Sequence, residues 1–128
     1  MTPEAIQTRI NRYFAATRAM DLDAWLTCFA DDAVSHDPYG APPIHGKDGL
    51  RKFFLSVATA FKEIGFTEKL VIVTGNRAAV TFTARGIGHN GKTATCEGID
   101  IFEFNEGGTI QIMWGYWDPA AMIAQLQG

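Results

Sequence analysis

Residues 77–104, RAAVTFTARGIGHNGKTATCEGIDIFEF, carry the pattern that decides the fold. Ala78, Val80, Phe82 and Ala84 alternate with Arg77, Thr81, Thr83 and Arg85, the period of two expected of a strand with one face buried. Asn90-Gly91 is a hairpin turn pair, and a second strand returns from about Lys92 to Phe104. Upstream, the period of two sets in near Thr67, and Leu70 to Thr74 is a largely β-branched run closed by the turn pair Gly75-Asn76. Downstream, Gly107-Gly108 turns the chain into a last strand, Thr109 to Trp117. Consecutive strands joined by tight turns read as an antiparallel meander.

The residues before this stretch keep the other period. After Pro3, a natural first-turn residue, Ile6, Ile10, Tyr13, Phe14 and Thr17 form one helical stripe. Asp21 is suited to cap a second helix in which Leu22, Trp25, Leu26 and Phe29 recur at three and four, ending near a solvated Asp31 and Asp32. A short extended stretch and the loop-like segment ending PPIHG follow. Leu50, Phe53, Phe54, Val57, Ala60 and Phe61 then mark a third helix, and Asp118-Pro119 opens a short final one. Without repeats or linkers, helices followed by a meander predict a single α+β domain over residues 1–128, its helices packed on one face of a curved sheet.

At 128 residues the chain can bury a core without a disulfide framework. Nine Phe, three Trp and three Tyr exceed what a minimal core requires, which suggests that aromatic rings line a cavity. Eleven Lys and Arg stand against fourteen Asp and Glu with no basic cluster, which argues against nucleic acid and against an anionic membrane surface as partners. No apolar run approaches the roughly 18 residues needed to span a bilayer, and the expected location is the cytoplasm. Cys28 and Cys96 are far apart within apolar patterns and read as reduced packing residues. His36, His45 and His89 lack ligand spacing, so no metal is expected, and neither a GxSxG elbow nor a phosphate loop is present.

Three residues break the pattern. In TCEGIDIFEF, residues 95–104, Asp100 shares its phase with Cys96, Phe102 and Phe104, while Glu97 and Glu103 take the other. A carboxyl group pointing with apolar side chains either pairs with a buried Arg, marks a solvent-facing strand, or becomes neutral and donates a hydrogen bond. Asp37 precedes Pro38, which favours an extended backbone, and Tyr39-Gly40 supply a turn; it is either a turn residue or a carboxylate held at the mouth of a cavity. Tyr13 lies on the buried side of its helix, as core filling or as a donor inside the fold.

Together these residues resemble one family along nearly the whole chain. NRYFAATRAMDLDAWLTCFADDAVSHDPYGAPPIHG, residues 11–46, is similar to the N-terminal half of the bacterial delta-5-3-ketosteroid isomerases. GIDIFEFNEGGTIQIMWGYW, residues 98–117, is similar to their C-terminal strands. The F-A-D-D-A element occurs throughout a wider superfamily that includes nuclear transport factor 2 and polyketide cyclases; R-Y, D-P-Y-G and I-D occurring together are more specific.

The resemblance implies a cone-shaped, curved antiparallel sheet with helices on its concave face, a deep apolar pocket and a homodimer. It puts Asp37 in the position of the proton-shuttling base, and Tyr13 and Asp100 in those of two oxyanion donors. Ketosteroid isomerases are the known case of a carboxylic acid kept neutral by an apolar site, so this role of Asp100 is carried over from the family. Phe54, Phe82, Phe102, Met113 and Trp117 are expected around a flat apolar ketone or steroid, with Phe104 nearby and no cofactor. Phe29 and Phe54 stand where some relatives carry tyrosines behind the oxyanion donors, which puts the support of Tyr13 in question. His36 stands where a Glu often precedes the base. A polyketide cyclase or hydratase and a non-catalytic ligand-binding domain are the alternatives. Ile110, Ile112, Trp114 and Tyr116 are expected on one face of the last strand, and Met113 and Trp117 on the other. Either the C-terminal tail covers the second apolar face or two copies pack sheet to sheet, and the latter is favoured here.

Overall fold

Thr2 caps the first helix by accepting the Ala5 N–H at 3.1 Å, and Pro3 starts it without losing a donor. The structure, a computed structural model, describes residues 1–127. Helix α1, Pro3–Arg18, buries Ile6, Ile10, Tyr13, Phe14, Ala16 and Thr17, the face predicted from its stripe. Asp21 caps α2, Leu22–Thr27, through the Ala24 N–H at 3.0 Å. This helix is shorter than its periodicity suggested. Phe29 opens strand β1, Phe29–His36, and Asp31 and Asp32 are exposed strand residues rather than a helix end. The Ile110 N–H bonds the Cys28 carbonyl at 2.8 Å, so pairing with the far end of the chain stops the helix before Phe29.

Strand β2, Ile44–His45, leads into α3, Gly46–Ala60. Only Leu50 is fully buried in α3, whereas Phe53, Phe54 and Val57 are half-buried because they face a cleft. Four strands follow: β3 (Glu63–Thr74), β4 (Arg77–Ile87), β5 (Thr93–Phe104) and β6 (Ile110–Tyr116); helix α4, Pro119–Gln127, packs against β5. β3 begins at Glu63, ahead of the expected Thr67.

The six-stranded, unclosed sheet has the order β2-β1-β6-β5-β4-β3. The meander β3 to β6 is antiparallel as expected, but β1 joins β6 in parallel, which makes the sheet mixed. A register shift between Glu103 and Phe104 re-aims the start of β6. Ile110 is therefore in the core, not on the outer face with Ile112, Trp114 and Tyr116.

The concave face carries Ile64, Val80, Phe82, Ala84, Phe102 and Met113 against α1 and the other helices. Glycine makes room for this layer. A Cβ at Gly98 would overlap the Phe82 ring, and one at Gly86 would lie 2.7 Å from Phe61 Cδ1. No helix among the described residues is long and apolar enough to cross a membrane.

Candidate active site

Period-two geometry turns Asp100 inward from β5, between Val80 of β4 and Gly115 of β6, where it is 4% exposed. Asp37 follows the last residue of β1 and is 8% exposed. The Tyr39 N–H donates to the Gly115 carbonyl at 2.7 Å and fastens this loop to β6. The Trp117 indole donates to Asp37 Oδ1 at 2.7 Å. The two carboxyl groups meet over the bare backbone of Gly115: a Cβ there would lie 2.5 Å from Asp37 Oδ1 and 3.2 Å from Asp100 Oδ1.

Tyr13 reaches the same region from α1. It is 5% exposed, and its hydroxyl faces Met113 Sδ at 3.6 Å, a weak acceptor. Phe14, Phe29 and Phe102 meet its ring edge-on at 5.1, 6.0 and 5.0 Å. The Trp25 ring lies 6.2 Å from the Tyr13 ring at 45°, and its indole opposes the effect of burial on the phenol's acidity.

The cleft over these groups spans about 530 Å³ of empty space, open solvent included. Its polar lining consists of Tyr13, Asp37, Asp100, Thr17 and the two indoles Trp25 and Trp117; the rest is apolar, including Met20, Phe53, Val57, Ile64 and Phe66. Thr17 is occupied by the backbone, donating to the Phe14 carbonyl at 2.7 Å and accepting from the Phe66 N–H at 3.2 Å.

The electrostatics follow from burial without a counter-charge. The ion pairs among the described residues are Arg18–Glu68, Lys69–Glu97 and Arg77–Glu103, none of which involves Asp100. The paired and solvent-facing readings of Asp100 are thereby removed. Burial, then the charge of Asp37, raises the Asp100 pKa well above the usual carboxylate range. Burial raises Asp37 to about 6, with the Trp117 hydrogen bond pulling the other way. Burial first, then Asp100 and Asp37, raises Tyr13 well above an ordinary tyrosine. Of the two carboxyl groups Asp37 is therefore the readier to ionise, while Asp100 and Tyr13 are both pushed further toward their protonated forms.

The cleft thus brings together Tyr13, Asp37, Asp100, Phe54, Phe82 and Trp117. Phe102 and Met113, expected at the substrate, lie one layer below: Phe102 packs under Tyr13 and Met113 accepts from its hydroxyl. Phe104 is further away, beside Asn76 and Asn105. Trp25 and Gly115 were not anticipated. A glycine inside an otherwise apolar strand was the available signal for the second.

A curved, unclosed sheet under N-terminal helices is the fold of the SnoaL-like domains of the nuclear transport factor 2 superfamily. The chain belongs to this family, and residues 10–112 match the SnoaL-like domain. Among individual proteins, it is 26% identical to the Steroid Delta-isomerase of Nocardioides simplex over 119 residues, 92% of this chain and 94% of that one. SalBIII, an epoxide hydrolase/cyclase-like enzyme with a role in pyran ring formation in polyether salinomycin, superposes with a TM-score of 0.82 at 23% identity, over 92% of this chain and 94% of its own. RV0760c from Mycobacterium tuberculosis, solved with estradiol-17beta-hemisuccinate, gives a TM-score of 0.80 at 23% identity, over 91% and 96%.

Proposed function

We propose that this protein is a steroid delta-isomerase, moving a carbon–carbon double bond from the 5,6 to the 4,5 position of a 3-ketosteroid or a similarly flat apolar ketone. The carboxylate of Asp37 removes the proton alpha to the carbonyl, and the C–H electron pair flows into a dienolate with its charge on the carbonyl oxygen. The Asp37 carboxyl group then returns the proton two carbons further along. Tyr13 and neutral Asp100 donate hydrogen bonds to the oxygen as it becomes negative. Loss of one such donor costs about 3 to 4 kcal/mol in other enzymes. The reaction is redox-neutral and its protons balance within the site, so it calls for no cofactor.

One observation carries this reading. Two buried carboxyl groups face each other over Gly115 in an apolar cleft, and Asp100 is held more strongly neutral than Asp37. The likeness to the Nocardioides enzyme and the steroid derivative bound by RV0760c support the substrate class. The test is the rise in ultraviolet absorbance of the conjugated enone when the protein meets a delta-5-3-ketosteroid. Activity that falls by several orders of magnitude in Asp37→Asn is expected. No activity, or an unaffected Asp37→Asn, overturns the assignment. In that case, turnover of a polyketide-like substrate would identify a cyclase or hydratase, and tight binding without turnover a ligand-binding member.

The proposal includes a homodimer formed through the outer face of the sheet. The strand register aligns Ile72, Ala79, Ile101 and Trp114 across four strands, with Ile99 and Tyr116 in the next row. Ile72 is 56% and Tyr116 44% exposed in the single chain, an apolar surface of the kind that a partner covers.

A further inference from the structure

Trp25 sits where the support for Tyr13 has to come from. Phe29, 6.0 Å from the Tyr13 ring, and Phe54, in the same cleft, carry no hydroxyl and can pack but cannot hydrogen-bond. The Trp25 indole packs against both, 4.7 Å from Phe29 at 61° and 5.2 Å from Phe54 at 47°. It is 3% exposed, lies 6.2 Å from the Tyr13 ring and lines the same cleft. Its backbone is set by the short helix α2, capped by Asp21. Packed against two rings and buried, the indole has little freedom to turn its N–H away.

We propose that Trp25 is a positioning residue: its indole N–H donates to the Tyr13 phenol oxygen, occupies one lone pair, and so directs the hydroxyl proton into the cleft. The proposal rests on the isomerase reading above for its kinetic consequence, but not for the bond itself. As charge builds on the substrate oxygen, the Tyr13 O–H bond polarises and its oxygen gains negative character. A donor already aimed at that oxygen strengthens the outer hydrogen bond, because bonds in a chain polarise one another. The direction agrees with the Trp25 contact favouring ionised Tyr13 against the effect of burial. Met113 Sδ, the acceptor now facing the hydroxyl, is weak enough for a ketone oxygen to take its place.

The experiment uses the indole N–H resonances of the full-length, ¹⁵N-labelled protein, which has three tryptophans. Tyr13→Phe keeps the ring and its edge contacts and removes only the oxygen. The expected result is an upfield shift of the Trp25 N–H signal with that of Trp114, on the outer face, unmoved. A phenolic steroid should shift the Trp25 signal downfield in the wild type and not in Tyr13→Phe. Kinetically, Trp25→Phe should lower kcat about fivefold at unchanged KM, the scale of one neutral hydrogen bond, and should add nothing to Tyr13→Phe. A Trp25 signal indifferent to Tyr13→Phe overturns the proposal. So does a Trp25→Phe loss that is equally large in both backgrounds. A coupled Trp25 signal in a protein without isomerase activity upholds the bond and overturns only the isomerase reading. The spectroscopic arm does not depend on Trp25→Phe folding.

Discussion

The Trp117 indole donates to Asp37 Oδ1 at 2.7 Å while its ring meets Phe66 edge-on at 5.2 Å, so a residue of the last strand's end sets the basicity of a carboxyl group on the first strand's end. Removing the N–H while keeping the ring, as in Trp117→Phe, takes away a bond that favours the ionised form. A hydrogen bond to a charged group is worth about 1.5 to 3 kcal/mol, or about one to two pH units. Asp37, at about 6 in the wild type, should titrate at least about one unit higher in the variant. A ¹³C carboxyl titration checks this directly, and the acid limb of the rate profile should move to higher pH by the same amount. An unmoved midpoint rules the mechanism out.

Two raised carboxyl groups also make stability depend on pH. An aspartate raised on folding keeps its proton where the unfolded chain has already released it. Its stabilising contribution is therefore whole below the unfolded value of 3.8 and is lost as pH rises towards the folded value, about 6 for Asp37. The loss amounts to about 3 kcal/mol for Asp37 by pH 7, as an order of magnitude. For Asp100, whose shift is greater, it continues to higher pH. Asp37→Asn and Asp100→Asn should each gain stability relative to the wild type between about pH 4 and pH 8, measured by urea denaturation. Parallel pH curves for variant and wild type would contradict the raised values.

The strands β4 and β5 were legible because a period of two fixes which way each side chain points, whatever the strand packs against. That is why Asp100 stood out. Phe29 was misread because its spacing from Trp25 continues a helical stripe, and only its pairing with Ile110 makes it a strand residue. Ile110 itself changed face through a register shift, and the parallel pairing of β1 with β6 joins segments about 80 residues apart in the chain. Local periodicity contains none of this. Tyr13 and Asp37 stood out locally with two readings each, and only the family resemblance favoured a site over core filling and a turn. Trp25 looked like core stripe and Gly115 like any strand glycine, because their roles depend on what stands opposite them across the fold.

Gly115 gives a steric prediction. An alanine would put its Cβ 2.5 Å from Asp37 Oδ1 and 3.2 Å from Asp100 Oδ1, with β6 backbone unable to withdraw from β5. One carboxyl group has to move. Gly115→Ala should cost about 1 to 3 kcal/mol of stability and lower kcat by at least about 100-fold, since small misplacements of reacting groups have effects of that size. Activity near wild type in a folded Gly115→Ala protein would mean that the facing of the two carboxyl groups is not what the chemistry uses.

The outer face of the sheet separates assembly from folding. Ile99 is 44% exposed there, beside Thr81 and Tyr116 in the register, so a lysine at 99 should change the stability of the isolated chain by no more than about 0.5 kcal/mol. At the centre of a sheet-to-sheet dimer the same lysine would bury an unpaired charge twice, once from each copy. Ile99→Lys should therefore weaken association by at least about 100-fold, equivalent to nearly 3 kcal/mol, while leaving the circular dichroism of the folded chain unchanged. Sedimentation equilibrium reads both species: a dimeric wild type and a monomeric variant are expected. A wild type that stays monomeric at high concentration, or a variant as dimeric as the parent, places the interface elsewhere or nowhere on this face.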